Sequence, residues 1–334
     1  MSAGLTFSPL LLVVALLAGL GILAGVTLAL DARADTREAR WMAAHPPLGV
    51  RVAVDGRQVH LLELGQPRGT APDLILIHGA NGNLRDFTFE LTQRLAADYR
   101  IIAVDRPGLG WSDSHGAADS DPQVQARILR QAVAQLGVSQ PIVLGHSYGG
   151  AVAMAWAMQA PDDTAALVLI SGATYPWEGA LGLWYRLHDG PLGRPLRLLI
   201  SALVPESVAR SVFAPIFAPD PVPAGYIDHF GPGLSMRRAS QEANTRQVNT
   251  LNGFLAQMAP GYGALTLPIE LVHGDADTIV GLHIHSARLA DARASARLTT
   301  IAQGGHMLQH SHPEAVVAAI ARAQDRASDR AAPQ

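Results

Sequence analysis

Six short apolar runs recur along the chain, and each ends in glycine or a polar turn residue: DLILIHG, RIIAVDRPG, PIVLGHS, ALVLISG, PIELVHGD and ARLTTIAQGG. Strands that are covered on both faces have this nearly continuous apolar character. Patterns typical of helices lie between most of the runs, for example in residues 122–137 and 283–294. Strands that alternate with helices predict a mostly parallel, doubly wound sheet with right-handed crossovers.

This alternation is preceded by a hairpin pattern and interrupted once. VRVAVDGRQVHLLEL, residues 50–64, alternates around an Asp-Gly turn signal, which is typical of an antiparallel hairpin. Residues 173–264 contain helical patterns, aromatics and prolines but no strand of the buried kind. We therefore expect the following domains: a sheet domain formed by residues 48–172 and 265–322, a helical cap insertion at 173–264, and a flexible tail at 323–334.

Two absences in the composition limit the chemistry. The chain has no cysteine, and all 25 of its Lys and Arg residues are arginine. A cysteine nucleophile, a thiolate metal site, a Schiff-base lysine and a phosphate-loop lysine are therefore excluded. The net charge of −3 and the absence of a basic patch argue against nucleic acid as a partner.

The N-terminal residues 7–30, FSPLLLVVALLAGLGILAGVTLAL, contain no charged side chain. A helix of this length reaches across the ~30 Å hydrocarbon layer of a bilayer. A cleaved signal peptide is the alternative, because ARA at 32–34 resembles a processing site. However, the run exceeds the usual apolar region of ~7–15 residues, and no arginine precedes it. We predict a single-pass anchor in the lipid bilayer, and the arginines that follow it favour a cytoplasmic catalytic domain.

A serine stands between glycines where the third apolar run ends, in PIVLGHSYGG at 141–150. Ligands of parallel sheets bind beyond the carboxyl ends of the strands, where Ser147 is expected to lie. GHSYG fits the nucleophile elbow, a sharp turn from strand to helix that exposes the serine hydroxyl. Gly145 and Gly149 flank the turn because a Cβ there would collide with its neighbours. The alternative interpretation is a glycine-rich turn that binds phosphate or merely packs.

A free serine hydroxyl is a poor nucleophile, and it needs a base that is itself oriented by an acid. HGDADTIV follows one apolar run and offers two carboxylates, Asp275 and Asp277. GGHMLQHSHPEAV follows the last run and places His306 directly after two glycines that let a loop deliver it. His310 and His312 are rival bases, and the histidine cluster leaves a metal site as a further alternative.

These motifs, together with HGANGN at 78–83 and DRPGLGWS at 105–112, stand in an order that resembles the α/β-hydrolase superfamily over residues 50–322. The resemblance is to capped, esterase- or lipase-like members with a serine nucleophile. It implies the α/β-hydrolase fold, Ser147 as nucleophile, His306 as base and Asp277 as the orienting acid. Related epoxide hydrolases and dehalogenases carry aspartate at the nucleophile position, so the serine argues against both activities.

The resemblance also implies an oxyanion hole made of two backbone amides. They are the N–H of Tyr148, directly after the nucleophile, and the N–H of Ala80 in the loop after LILIHG. His78, Asp105 and Arg106 are expected to shape the surrounding loops rather than to touch substrate. No cofactor and no metal are implied.

The predicted function is a membrane-anchored serine hydrolase that cleaves carboxylic esters of small apolar acyl groups through an acyl-enzyme. The same three residues could serve amide, lactone or carbon–carbon bond hydrolysis, perhydrolysis or acyl transfer. A membrane-tethered receptor of the same fold is the non-enzymatic alternative. The aromatic residues of the cap could line an acyl pocket or form ordinary core: Trp177, Trp184, Tyr185, Phe213, Phe217, Tyr226 and Phe254.

Overall fold

Eight described strands form one mixed sheet, and every apolar run predicted as a buried strand is among them. The structure is a computed structural model that describes residues 9–179 and 181–331. The order of the strands in the sheet is β1-β2-β4-β3-β5-β6-β7-β8. Their bounds are β1 Val50–Val54, β2 Arg57–Gly65, β3 Asp73–Ile77, β4 Arg100–Val104, β5 Ile142–His146, β6 Ala166–Ile170, β7 Ile269–Gly274 and β8 Ala296–Ile301.

The register of the sheet brings the candidate site loops together at one edge. The β1–β2 and β2–β4 pairs are antiparallel and the remaining pairs are parallel, which confirms the predicted hairpin and the mostly parallel sheet. Ile77 at the end of β3 is the register partner of Gly145 in β5, and Gly274 is the partner of Ile301. The loops that follow these strands therefore start side by side.

Helices cover both faces of the sheet, as the continuous apolar runs require. Ile75 and Ile77 of β3 pack in one core cluster, whereas Leu74 and Leu76 pack in the other, because successive strand side chains point to opposite faces. Each fully buried side chain of this kind contributes about 1.5–3 kcal/mol. The helices are α1 Pro9–Ala44, α2 Arg85–Thr88, α3 Leu91–Leu95, α4 Pro122–Ala134, α5 Tyr148–Gln159, α6 Leu183–Asp189, α7 Gly193–Leu203, α8 Glu206–Ser211, α9 Phe213–Phe217, α10 Tyr226–Phe230, α11 Gly233–Met236, α12 Arg238–Met258, α13 Ser286–Ala292, α14 Leu308–Ser311 and α15 Pro313–Ala331.

The segment predicted as a helical insertion, residues 173–264, contains α6 to α12 and no strand among its described residues. It leaves the sheet after β6 and returns at β7, so it is inserted between two neighbouring strands. Its longest helix, α12, buries Val248, Leu251 and Leu255 in the core cluster that also contains α4 and α5. The insertion is thus packed against the sheet domain.

Helix α1 continues well past the predicted end of the apolar span at residue 30. Within the described residues it is the one unbroken helix long and apolar enough to cross a membrane, and its apolar window is not buried in the protein. Residues 7 and 8 of the predicted span lie outside the described residues. The extension packs on the cap, where Arg238 pairs with Asp31 at 2.8 Å, with Glu38 at 2.9 Å and with Asp35.

The C-terminal helix α15 extends to Ala331, beyond the boundary expected at 322, so residues 323–331 are helical where a flexible tail was expected. The physical reason is that Ala323 and Ala327 pack against the core cluster under the sheet. The helix also carries Arg326, whose guanidinium lies 2.6 Å from the buried carboxylate of Glu270 in β7. Residues 332–334 lie outside the described residues.

Candidate active site

Ser147 lies in the sharp turn between β5 and α5, with φ 54° and ψ −120°. A positive φ is strained for a residue with a side chain and persists only where the surroundings enforce it. Here the Ser147 N–H donates to the Ile170 carbonyl at 3.0 Å, and the Ser147 carbonyl accepts from the amides of Gly150 and Ala173 at 2.9 and 3.0 Å. The turn is therefore fixed from the neighbouring strand and from its own helix.

The two glycines that flank the serine leave no room for a side chain. A Cβ on Gly145 would lie 2.3 Å from the Gly149 carbonyl oxygen. A Cβ on Gly149 would lie 2.2 Å from the carbonyl oxygen of Ile77 in the adjacent strand. These approaches are far inside van der Waals contact, so the steric reason predicted for both glycines is present in the structure.

Gly149→Ala should therefore destabilise the protein by about 1–3 kcal/mol or more, because backbone rather than a flexible side chain must move. Gly253→Ala is the matched control, since a Cβ at that position in α12 would meet nothing within 4 Å. Alanine there should stabilise the protein by about 0.5–1 kcal/mol. Denaturant unfolding of both variants in detergent measures the two effects. Equal stability of the two variants would contradict the steric argument.

His306 and Asp277 are brought together although they lie in different loops. The imidazole Nδ1 lies 2.8 Å from Asp277 Oδ2, and both residues are buried. The other carboxylate oxygen accepts hydrogen bonds from the amides of Ile279 and Val280 at 2.8 and 3.0 Å. The carboxylate is thus fixed in place and can hold the proton of the imidazole on Nδ1.

The environment of Asp277 keeps it ionised. Burial by itself would raise the pKa of this carboxyl, but hydrogen bonds from His273 and His306 outweigh burial and hold the pKa well below its usual range. The rival Asp275 is exposed, and its Oδ1 accepts from the amide of Gln303 at 2.6 Å across the turn. Asp275 is therefore engaged in a turn, and it is Asp277 that meets the imidazole of His306.

Ser147 and His306 face the same cavity. His146, next to the serine, has its ring centroid 4.9 Å from that of His306 and its Nε2 3.2 Å from the His306 carbonyl oxygen. Among the described residues, no hydrogen bond joins Ser147 Oγ to the imidazole. Such bonds are often long without substrate and tighten in the Michaelis complex.

The two amides expected in the oxyanion hole are both unengaged. No hydrogen bond within the described part of the chain uses the N–H of Ala80 or of Tyr148. The loop of Ala80 touches the serine, because a Cβ on Gly79 would lie 3.0 Å from Ser147 Cβ. Next in this loop, the amide of Asn81 donates to the Asn244 side chain of α12 at 2.6 Å. The Asn244 side chain of the cap therefore helps to hold this loop against Ser147.

Arg106 and His78 also fix the loop that contains Gly79 and Ala80, through hydrogen bonds. The Arg106 guanidinium donates to the Gly79 carbonyl at 2.9 Å and to the Gln247 side chain of α12 at 2.9 Å. It also lies over the Tyr148 ring, 4.1 Å from the centroid. The Arg106 amide donates to His78 Nε2 at 3.0 Å, so the His78 proton is on Nδ1, which faces the Gly79 carbonyl at 2.9 Å.

Burial and the nearby positive charge of Arg106 lower the pKa of His78 to about 4. The unfolded chain, with the ordinary pKa of 6.5, then binds more protons than the folded protein between these values. Stability should therefore fall as the pH drops from about 6.5 to about 4, by about 1 kcal/mol from this residue at pH ~5.5. His78→Gln should weaken that dependence, as measured by denaturant unfolding at pH ~7.5 and ~5.5. An unchanged dependence in the variant would contradict the assignment.

A second buried carboxylate, Asp86, lies beside the site and was not predicted from the sequence. It accepts hydrogen bonds from Tyr226 of the cap at 2.6 Å, from His310 at 2.8 Å and from Gln309 at 3.0 Å. Burial would raise its pKa, but the hydrogen bond and the charge of His310 outweigh burial and lower the pKa below the usual range. The available signal was an acidic residue within NLRDFTF, a short segment that also carries Leu84, Phe87 and Phe89. His310 is thus paired with this carboxylate rather than with the serine.

The cavity above the serine has a volume of about 520 Å³. Among the predicted cap aromatics, Tyr185, Phe213 and Tyr226 line it, whereas Phe217 is buried in the core of the cap. The side chain of Trp184 lies outside the described part. The described lining residues include the Asp86 carboxylate but no arginine, and the aliphatic ones are mainly from the cap: Ile200, Val204, Val208, Ala209, Val212 and Ile216.

Comparisons with known proteins agree with the fold. Residues 74–319 match a model of the alpha/beta hydrolase family. A curated relative from Klebsiella pneumoniae, the 2-hydroxy-6-oxononadienedioate/2-hydroxy-6-oxononatrienedioate hydrolase, is 26% identical over 270 residues, which cover 77% of this chain and 87% of that protein.

Two solved structures share the architecture. A membrane phospholipase A superposes with a TM-score of 0.66 at 22% identity, over 97% of this chain and 98% of that one. An esterase from Exiguobacterium antarcticum superposes with a TM-score of 0.64 at 21% identity, over 83% of this chain and 100% of its own. At such identities the likeness shows the fold alone.

Proposed function

Because the chain belongs to the α/β hydrolase family, we propose that it is a membrane-anchored serine hydrolase that cleaves carboxylic esters of apolar acyl groups. One observation carries the proposal. The hydroxyl of Ser147, at a strained strand-to-helix turn, faces an apolar cavity together with His306, whose Nδ1 lies 2.8 Å from the buried Asp277. A nucleophile, a base and an orienting acid are the parts that acyl transfer requires.

In the proposed reaction, His306 Nε2 accepts the hydroxyl proton as Ser147 Oγ bonds to the ester carbonyl carbon. The resulting oxyanion accepts hydrogen bonds from the free amides of Ala80 and Tyr148, each of which contributes about 3 kcal/mol in comparable sites. The imidazolium returns its proton to the leaving alcohol as the carbon–oxygen bond breaks and the acyl-enzyme forms. A water molecule, deprotonated by the same imidazole, then releases the acid and restores the serine.

Asp277 has a supporting role in both half-reactions. Its carboxylate keeps the proton on Nδ1 of His306, so that Nε2 is free to accept a proton. It also offsets the charge of the imidazolium that forms during each attack. Its low pKa supports this role, because the carboxylate remains ionised throughout the working pH range.

The lining of the cavity supports a neutral, apolar acyl group. Aliphatic side chains from α7, α8 and α9 form much of the wall, and no arginine is among the described lining residues. Asp86, the one carboxylate among the described residues of the wall, would repel an anionic substrate at close range in a low dielectric. Apolar surface of the substrate gains free energy on transfer from water to such a wall.

The apolar part of α1 supports anchoring in a bilayer. The membrane phospholipase A superposes on 97% of this chain. The superposed part includes residues of α1, because α1 has 36 residues and is longer than the part of the chain that is not covered. The arginines after the span favour a cytoplasmic position of the hydrolase domain under the positive-inside rule, and this side is part of the proposal.

Covalent labelling tests the proposed chemistry. A fluorophosphonate probe should react with the full-length protein in membranes, and peptide mapping should place the adduct on Ser147. His306→Gln should label far more slowly, because the base is lost. Absence of any adduct, or an adduct on another serine, would overturn the proposal, and the former would favour the receptor alternative.

Hydrolysis of a carbon–carbon bond is the second candidate, because the relative from Klebsiella is named as a hydrolase of 2-hydroxy-6-oxononadienedioate. That substrate carries two carboxylates, whereas the described cavity wall offers Asp86 and no arginine. Parallel assays with p-nitrophenyl butyrate and with the dioate decide between the candidates. We expect the larger kcat/KM for the ester, and the reverse order would favour the second candidate.

A further inference from the structure

Two helices of the cap expose leucines to the outside of the protein. On α6, Leu183 and Leu187 are four residues apart and therefore lie on one face. On α7 and its N-cap, spacings of seven and four residues place Leu192, Leu199 and Leu203 on one face as well. We call these five side chains the leucine face. Clusters of exposed apolar side chains commonly mark a binding surface.

The leucine face is not needed to form the cavity. Tyr185 and His188 of α6 and Ile200 of α7 line the cavity from between the exposed leucines. Each helix therefore has apolar residues on two sides, one toward the substrate and one outward. The outward apolar side of such a helix gains free energy when a second apolar environment covers it.

The contacts of α7 indicate what that environment is. Arg33 Nε donates to the carbonyl of Ala202 at 2.8 Å, and Ser201 Oγ donates to Glu38 at 2.7 Å. Arg33 follows the last residue of the apolar span, Leu30, by only about 5 Å of helix rise. Where α1 crosses a bilayer, the C-terminal turn of α7 is therefore held at the depth of the lipid headgroups.

Charge and shape fit the same surface. Arg186 and Arg194, exposed on or beside the leucine face, are placed to pair with lipid phosphates while the leucines reach the acyl chains. Helix α7 and the following apolar segment Glu206–Phe217 meet at an angle of 106°. Neither segment is long enough to span a bilayer alone, and a sharply bent apolar pair suits a position within the interface.

We propose that the leucine face of α6 and α7 lies in the surface of the bilayer that α1 spans. The proposal rests on the proposed anchor and extends it, since the cap becomes a second membrane contact. Val208 and Val212, which line the cavity and are half exposed, follow directly after this surface along the chain. Apolar esters dissolved in the bilayer thus have a short path from the membrane to Ser147.

The absence of cysteine permits a direct test with single labelled sites. Leu199→Cys carries an environment-sensitive fluorophore in the full-length protein, reconstituted in vesicles with spin-labelled lipid as quencher. Leu48→Cys is the matched control, because both leucines are 41% exposed and Leu48 lies beyond the end of α1, about 20 Å of helix from the span. Leu16→Cys, in the middle of the span, reports on the anchor itself.

We expect the lipid quencher to reduce emission at positions 16 and 199 by about half, and at position 48 hardly at all, because interfacial helices bury their apolar face ~5–10 Å deep. Quenching at 16 but not at 199 would overturn the inference and leave the anchor standing. No quenching at 16 would overturn both. A label at 199 that is shielded from lipid quencher and from aqueous iodide would show a second protein copy on the face, and would also overturn it.

Discussion

Ser147→Ala should lower kcat for hydrolysis of p-nitrophenyl butyrate by about 10⁶-fold, as loss of the nucleophile does in enzymes that use serine, histidine and aspartate as a unit. The effect is large because the acyl-enzyme can no longer form, and His306 has no hydroxyl to deprotonate. Circular dichroism should show an unchanged fold, since the Ser147 backbone, rather than its hydroxyl, makes the hydrogen bonds that fix the turn.

Ser235→Ala is the matched control for this prediction. Ser235 lines the same cavity, but its hydroxyl donates to the Asn81 carbonyl at 2.6 Å and makes no hydrogen bond to His306 or Asp277 among the described residues. We expect its activity to stay within a few-fold of wild type. Comparable activity of the Ser147 and Ser235 variants would contradict the assignment of the nucleophile.

Asp277→Asn should lower kcat by about 10⁴-fold with little change in structure. An asparagine amide can donate to His306 Nδ1, which favours the tautomer with the proton on Nε2. That nitrogen then cannot accept the proton of Ser147, so the base is lost although the imidazole remains. Measurement of kcat with the same ester for the purified variant tests the expected loss.

Asp275→Asn provides the comparison. Asp275 is exposed and holds the amide of Gln303 in a turn, and it is two residues from the proposed acid. The variant should retain most of the activity. A greater loss in the Asp275 variant than in the Asp277 variant would show that the acid has been misassigned.

Much of the fold could be predicted because its determinants are local. Each buried strand appears in the sequence as a continuous apolar run, and the β1–β2 hairpin appears as alternation around Asp55 and Gly56. The nucleophile elbow around Ser147 could be predicted because its determinants are local as well. The residues that collide with a Cβ at Gly145 or Gly149 lie in the same turn or in the adjacent strand, which any such turn places there.

Contacts between distant residues could not be read from the sequence. Asp86 lies 140 residues from Tyr226 and 224 residues from His310, and no local spacing relates them. The acidic residues that alternate with arginines after the apolar span are a similar case. Asp31, Asp35 and Glu38 look like ordinary juxtamembrane charges, yet all three meet Arg238, about 200 residues away.

The prediction of a flexible tail at 323–334 was wrong for residues 323–331, because it rested on composition alone. DRASDRAAPQ is polar, but alanines such as Ala327 place small side chains on the inner face of α15, against the core. Arg326 in this segment pairs with the buried carboxylate of Glu270, as does the partly exposed Arg322 one turn earlier. A polar sequence thus continues a helix when its charges find buried partners, and composition alone does not show this.

The boundary between cap and sheet domain restricts how this protein could diversify. Several buried hydrogen bonds cross it, among them those from Tyr226 to Asp86, from Arg106 to Gln247 and from Asn83 to the Phe230 carbonyl. A chimaera that carried a foreign insertion in place of residues 173–264 would leave each partner orphaned, at about 1–3 kcal/mol apiece. New substrate ranges are therefore more accessible through changes within the native insertion than through its wholesale replacement.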